Sequence, residues 1–270
     1  MRIVRFIDEQ GQIQLGNQPL DGDSGQAEVL EGDLFTQVTA TGKMVAVAQL
    51  LSPIDPVNIF CIRLNYREHA EETGAQLPEN PVVFMKPTSA ASGPGKPIMI
   101  PAFSDPSGEV DYECELAVVI ARPVRNVSQA DALDYVLGYT AANDVSARKW
   151  QKQGGGGQWI RGKSFDTFCP LGPALVTADE ITDPQSLAIS TMLNGNQMQS
   201  SSTSDMIFTV AYLIHFLSKD TTLLPGTVIL TGTPSGVGFA RDPKVCLKAG
   251  DCVKVELAQI GVLENDVIDG

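Results

Sequence analysis

The chain has 270 residues, with 32 Asp and Glu against 19 Lys and Arg and a formal charge of −13. At roughly 150 residues per domain this is one large domain or two unequal ones, and the composition, 43% apolar and 19% charged, excludes a disordered or fibrous chain. The acidic excess repels nucleic-acid phosphates and anionic lipid surfaces, so the expected partner is a small molecule or a metal cation, with no nucleic acid and no membrane.

Met1 to Asp8 has no apolar core with a cleavage site behind it, so no secretory signal is read there. Five Cys at 61, 114, 169, 246 and 252 form no Cys-x-x-Cys pair, which suits a reducing compartment. The expected location is the cytoplasm, or an organelle matrix where a transit peptide precedes the given sequence. An alternating pattern at Ile3 to Phe6 and another at Gln12 to Leu15 predict two strands, followed by polar, Gly- and Asp-rich chain. The Pro-rich break Ser52 to Pro56 separates a small N-terminal subdomain, 1–55, from a main domain, 56–270.

In the main domain the strand candidates are Val57 to Cys61, Val82 to Met85, Ile98 to Ile100, Glu113 to Ile120, Gly138 to Ala142, Ala174 to Thr177, Ala188 to Leu193, Gln197 to Ser200, Val228 to Thr231 and Cys252 to Leu257. Asn194-Gly195 between two of them predicts a two-residue hairpin turn. Helical patterns appear only at Ser128 to Val136 and Asp205 to Leu217, and the latter is too short and too polar at His215 to span a bilayer. Many strands with few helices between them predict a strand-dominated α+β fold. Gly154 to Gly157 predicts a mobile loop, read as a lid.

Four segments carry candidate chemistry. On a strand, Asp111, Glu113 and Glu115 point one way, and the apolar run that follows places them inside a sheet, where unpaired carboxylates repel one another. A divalent cation resolves that conflict, and hard oxygen ligands suit Mg²⁺, with Mn²⁺ or Ca²⁺ as substitutes. Asp144 after the strand Gly138 to Ala142 reads equally as a third ligand or as a helix cap. In Leu64 to Glu72, His69 and Glu72 stand at i and i+3, so a helical turn makes them a general-base dyad. Lys163, between Gly162 and Ser164, can meet oxyanion charge. Thr231-Gly232-Thr233-Pro234-Ser235-Gly236 after the strand Val228 to Leu230 offers hydroxyl and backbone N–H donors to a carboxylate.

Taken in order, Leu64-Asn65-Tyr66 with His69 and Glu72, Asp111 to Ala117, Asn143 to Arg148, Gly162 to Asp166 and Thr231 to Pro234 resemble the fumarylacetoacetate hydrolase family over about residues 57 to 260. The stretch from Gln158 to Thr177 is most similar to the subgroup called fumarylacetoacetate hydrolase domain-containing protein 2. The resemblance implies a mixed β-sandwich roll, a homodimer and a divalent metal, usually Mg²⁺. It also implies Glu113, Glu115 and Asp144 as metal ligands, His69 and Glu72 as the water-activating dyad, Lys163 as the oxyanion or substrate-carboxylate partner, and Thr233 as a substrate contact. The segment holding His69 is, by the same resemblance, a lid that orders over bound ligand. The implied substrates are β-dicarbonyl 2-oxo acids that react through a metal-bound enolate. Carbon–carbon hydrolysis of an acylpyruvate is the leading reaction, oxaloacetate tautomerisation or decarboxylation the alternative, and a catalytically silent metal- or ligand-binding module the second alternative.

Overall fold

In the computed structural model, which describes residues 1–19, 25–102, 109–153 and 157–270, the strand Cys114–Ile120 is buried at every position and organises the rest. Its apolar run serves two cores because alternate side chains leave opposite faces of a sheet. Leu116, Val118 and Ile120 join one cluster, and Ala117 and Val119 join another. Cys114–Ile120 pairs antiparallel with Val136–Asn143 on one side and with Thr227–Leu230 on the other. Thr227–Leu230 runs parallel to Asn58–Arg63, and Val82–Lys86 closes that edge.

Beyond Val136–Asn143 the sheet continues through Cys169–Thr177 into Arg2–Ile7, Ile13–Asn17, Gln26–Asp33 and Gln37–Ala46, so the N-terminal strands extend the same twelve-stranded sheet. A five-stranded sheet, in the order Asn196–Ser202, Ala188–Leu193, Cys252–Leu257, Gly261–Asp269 and Ile98–Ile100, packs against one face of the large one. Between them lie Leu116, Val118, Ile189, Val255 and Leu263, with Leu213, Ile214 and Leu217 of the helix Val210–Leu217. Each such side chain contributes about 1.5–3 kcal/mol of transfer free energy. The result is the expected strand-dominated architecture of mixed sheets packed face to face.

The expected strands form with ends that differ by up to five residues, Glu113 falling just outside its strand, and Asn194 and Gly195 make the hairpin turn with φ of +51° and +79°. Three strands of eight or more residues escaped the pattern reading. Gln26–Asp33 and Gln37–Ala46 pair with each other, with Ala27 and Leu30 buried and most of Gln37–Ala46 exposed, so their sequence is polar because one partner lies at the sheet edge. Gly261–Asp269 buries only Leu263, Asn265 and Val267.

Both expected helices are shorter than their patterns. Ser128 Oγ accepts from Asp131 N at 3.2 Å but caps a turn, and only the 3₁₀ segment Ala132–Tyr135 follows before the chain enters a strand. In Asp205 to Leu217, Ile207 N donates to Asn65 O and Phe208 N to Asn65 Oδ1, each at 2.8 Å, and these tertiary bonds displace the first helical turn. The helix starts instead at Val210, capped by Thr209. Its His215 is half-buried, with Nδ1 2.7 Å from Val127 O, and is not the core histidine that its apolar neighbours suggest. Residues 154–156 of the expected glycine lid lie outside the described residues.

Candidate active site

The antiparallel register that sets Cys114 opposite Asn143 and Glu115 opposite Ala142 also brings the ends of both strands together. Asp144 N donates to Glu113 O at 2.8 Å, and Glu113 N donates to Asn143 Oδ1 at 3.0 Å. Carboxylate oxygens of Glu113, Glu115 and Asp144 therefore lie within 4.8 Å of one another, all three residues buried. Asp144 is not a helix cap: Ser146–Ala147 forms a short bridge with Val110–Asp111 before the helix Arg148–Gln153 begins. Asp111 is not part of the triad either. The strand breaks at 112–113, ending the alternation, and Asp111 turns to Arg148 and to the N–H groups of Gly238 and Phe239.

Three buried cations offset this charge. Lys163 Nζ reaches Glu113 Oε2 at 2.7 Å and Asp144 Oδ2 at 2.6 Å. Arg148 bridges Asp111 Oδ2 and Glu113 Oε1, each at 2.7 Å. Lys86 Nζ stands 2.6 Å from Asp144 Oδ1 but directs its hydrogens to the carbonyls of Val145, Lys163 and Phe168. Asp144 Oδ1 thus faces the Lys86 ammonium and, among the described residues, no donor aligned for a hydrogen bond. Burial pushes Glu113 up, yet Arg148 and Lys163 win and hold it below the usual carboxylate range. Burial, then the charges of Asp144 and Glu113, push Glu115 well up, and its Oε2 accepts from Gly232 N at 2.7 Å. Burial lowers Lys163 and Arg148, but facing carboxylates outweigh it and hold both above their ordinary values. Three buried carboxylates in an all-oxygen donor set, with Glu115 in no ion pair among the described residues, fit a hard divalent cation.

Facing this floor is the six-residue helix Arg67–Glu72. Its lead-in is fixed by Asn65, whose Nδ2 donates to Thr231 O at 2.8 Å and Phe208 O at 3.0 Å. His69 Nδ1 lies 3.1 Å from Glu72 Oε2, as the i, i+3 spacing predicts, and Glu72 Oε1 accepts from Gly236 N at 2.9 Å. Partial burial raises Glu72, but the bonds from His69 and Gly236 bring it below the usual range. The helix is in place, with Arg67 donating to Asp205 O and Met206 O and Glu68 N donating to Asp205 Oδ2.

The Thr231–Gly236 segment forms another wall. Gly236, at φ +98°, packs so closely on the Met198 carbonyl that no Cβ fits. Thr233 Oγ1 accepts from Gln199 Nε2 at 2.8 Å, which fixes the side chain at the cavity wall. His69, Glu113, Glu115, Asp144, Lys163 and Thr233 line one cavity of about 220 Å³, with Glu72 behind His69.

Several wall residues carried no assigned role in the sequence. Lys86 and Arg148 neutralise the floor, and their only signal was a single cation closing or following an otherwise apolar strand. Arg63, Phe84, Lys152, Trp159 and Phe239 line the cavity from five separate segments, a proximity that spacing along the chain does not encode.

Residues 58–268 match the fumarylacetoacetate (FAA) hydrolase C-terminal family, and residues 1–53 match the Rv2993c-like N-terminal family. A mitochondrial oxaloacetate tautomerase of Xenopus laevis is 50% identical over 220 residues, covering 81% of this chain and 68% of that protein. A human mitochondrial oxaloacetate tautomerase is 45% identical over 219 residues, 81% of this chain and 69% of its own. Among solved structures, a 5-carboxymethyl-2-hydroxymuconate delta-isomerase from Mycobacterium smegmatis superposes with a TM-score of 0.87 at 38% identity, covering both chains fully. A fumarylacetoacetate hydrolase from Exiguobacterium antarcticum superposes at 0.83 with 33% identity, again over both whole chains.

Proposed function

The chain belongs to the fumarylacetoacetate hydrolase family and is an enzyme, and from that premise we propose that it interconverts the enol and keto forms of a short β-dicarbonyl 2-oxo acid, oxaloacetate first. The observation that carries the reading is the juxtaposition, across one cavity of about 220 Å³, of a three-carboxylate floor and a histidine backed by a carboxylate. Relatives of 45–50% identity that bear the name oxaloacetate tautomerase favour this reaction over others at the same site.

Glu113, Glu115 and Asp144 would hold a divalent cation, Mg²⁺ by preference, with Mn²⁺ or Ca²⁺ as substitutes. When bound, such a cation supplies Lewis-acid stabilisation of the charge that develops on the 2-oxo oxygen. The remaining work falls to side chains. Tautomerisation moves one proton between that oxygen and C3 of the substrate. His69 carries it: Glu72 holds Nδ1, so Nε2 is the nitrogen free to give or take a proton at C3. Lys163 holds Glu113 and Asp144 in place and presents positive charge to the oxyanion, while Thr233, at the cavity wall, serves as a contact for the substrate.

A second reading rests on the same dyad. His69 with Glu72 can instead deprotonate a water that attacks the distal carbonyl of an acylpyruvate, breaking the carbon–carbon bond and releasing pyruvate. The proposal includes a homodimer that covers the edge strand Val82–Lys86, where Val82 and Val83 are 43% and 37% exposed. It also includes a division of labour between a scaffolding unit, 1–55, and a catalytic unit, 56–270, and a cytoplasmic or organelle-matrix location. No helix among the described residues is long and apolar enough to cross a membrane.

The test is the ultraviolet absorbance of enol-oxaloacetate and acetylpyruvate with protein and Mg²⁺, with EDTA, and with His69→Ala, products being identified by NMR. Mg²⁺- and His69-dependent loss of the oxaloacetate enol without pyruvate is the expected result. Pyruvate from acetylpyruvate would replace tautomerisation by hydrolysis, and pyruvate from oxaloacetate would replace it by decarboxylation. Silence with every substrate would leave a binding module.

A further inference from the structure

The cavity has an acidic floor and a basic mouth. Arg63, at the end of the strand Asn58–Arg63, lays its guanidinium over the Trp159 ring at 4.3 Å, and Phe84 packs edge-on to the same ring with centroids 6.0 Å apart. Across the opening, Lys152 of the helix Arg148–Gln153 sits with Nζ 3.8 Å from the Phe239 ring centroid. Both cations line the cavity together with the floor carboxylates.

What separates them from Lys86, Arg148 and Lys163 is pairing. Those three face carboxylates at 2.6–2.7 Å, whereas Arg63 and Lys152 have no carboxylate within ion-pair distance among the described residues. In a chain of net charge −13, acidic partners are plentiful, so two cations held on aromatic rings beside one opening await a negative group from outside. Burial, then the charges of Arg148, Lys244 and Arg63, push Lys152 below its ordinary value, so cations crowd this mouth.

We propose that Arg63 and Lys152 are specificity-determining residues that receive the distal carboxylate of a dicarboxylate substrate, while its 2-oxo acid end occupies the Glu113–Glu115–Asp144 floor. The assignment rests on the proposed 2-oxo acid chemistry for the inner end of the ligand alone. On this assignment the site selects a small dianion: the outer carboxylate exchanges water for two charge-assisted contacts at the cavity entrance, and a neutral acyl group leaves both cations unanswered. Neither residue belongs to the His69–Glu72 dyad or to the floor, so the proposal separates selection from chemistry.

Binding is measured by calorimetry in Mg²⁺ for two unreactive probes of equal chain length, malate and 2-hydroxybutyrate, which share the 2-hydroxy acid end and differ only in the distal carboxylate. Wild-type protein is expected to bind malate at least about tenfold more tightly, each of Arg63→Gln and Lys152→Gln to lower that ratio about threefold or more, and the double variant to bring it near one. Both positions are exposed, so the variants fold, and an unchanged thermal midpoint verifies this. A wild-type ratio near one, no binding of either probe, or a ratio untouched in the double variant overturns the proposal. If the ratio behaves as expected while the enol assay shows no turnover, the tautomerase reading fails and the carboxylate-selecting mouth stands.

Discussion

On the floor of the cavity, Asp144, Glu113, Lys86, Arg148 and Lys163 have side chains 0–9% exposed and bind one another through four ion pairs, while Arg148 makes a fifth with Asp111. On the opposite wall, His69 and Glu72 are 14% and 23% exposed, share one contact and ride on a helix of six residues. The floor is therefore part of what holds the central strands together, and the wall is an attachment whose loss leaves the sheets intact. Breaking a buried pair strands a charge in low dielectric, while breaking an exposed one returns both groups to water.

The largest effect should follow Asp144→Ala. It leaves Lys86 and Lys163 buried with one carboxylate fewer, so unfolding in urea should lose about 3–5 kcal/mol of stability. Mg²⁺ should no longer raise the thermal midpoint, and turnover should vanish. A loss below about 1 kcal/mol would mean that the floor tolerates stray charge as a surface does. His69→Ala sharpens the contrast from the other side: enol turnover should fall about 10²- to 10⁴-fold while urea unfolding is unchanged. Equal losses of stability and rate in this variant would erase the distinction between floor and wall.

Glu115 is the floor residue whose sign differs. Its folded-state carboxyl lies well above the unfolded value because burial and two carboxylates oppose ionisation, so in EDTA its contribution is fully present below the unfolded value and is lost as pH rises through the folded one. Metal-free protein should then lose thermal stability as pH rises from the ordinary carboxylate range, and Glu115→Gln should flatten that fall. The same variant should forfeit the stabilisation that Mg²⁺ gives the wild type. A thermal midpoint that falls equally with pH in both proteins would remove Glu115 from this role.

The floor was legible in the sequence because its parts lie on or directly beside strands whose apolar runs advertise burial, so carboxylates there had to be paired or to hold a cation. The dyad was legible because i, i+3 spacing needs only one helical turn. What stayed hidden was tertiary. Lys86 meets Asp144 through a sheet edge 58 residues away, and Arg63 meets Trp159 across 96 residues. The helix expected from Asp205 gave up its first turn to Asn65 for a similar reason, because backbone donors took partners that no local pattern announces. The edge strand Gln37–Ala46 was hidden because exposure removes the apolar alternation that marks a strand.

The smallest effect concerns how the wall is hung. Asp205 Oδ2 accepts from Glu68 N at 3.1 Å, and Arg67 donates to the carbonyls of Asp205 and Met206, so the helix Arg67–Glu72 is tethered at its start by the segment that its own lead-in residue, Asn65, unwound. Asp205→Ala removes an acidic acceptor near that N-terminus, an exposed contact that contributes about 0.5–1 kcal/mol locally. Global unfolding should not register it, because the central strands do not depend on the tether. Hydrogen exchange of the 68–74 amides should quicken about two- to fivefold, and the KM for the enol substrate should rise by a similar factor at nearly constant kcat, since His69 and Glu72 keep each other when the helix is seated. A kcat that falls as far as in His69→Ala would instead mean that the tether sets the geometry of the dyad itself, and that the wall is as much a part of the framework as the floor.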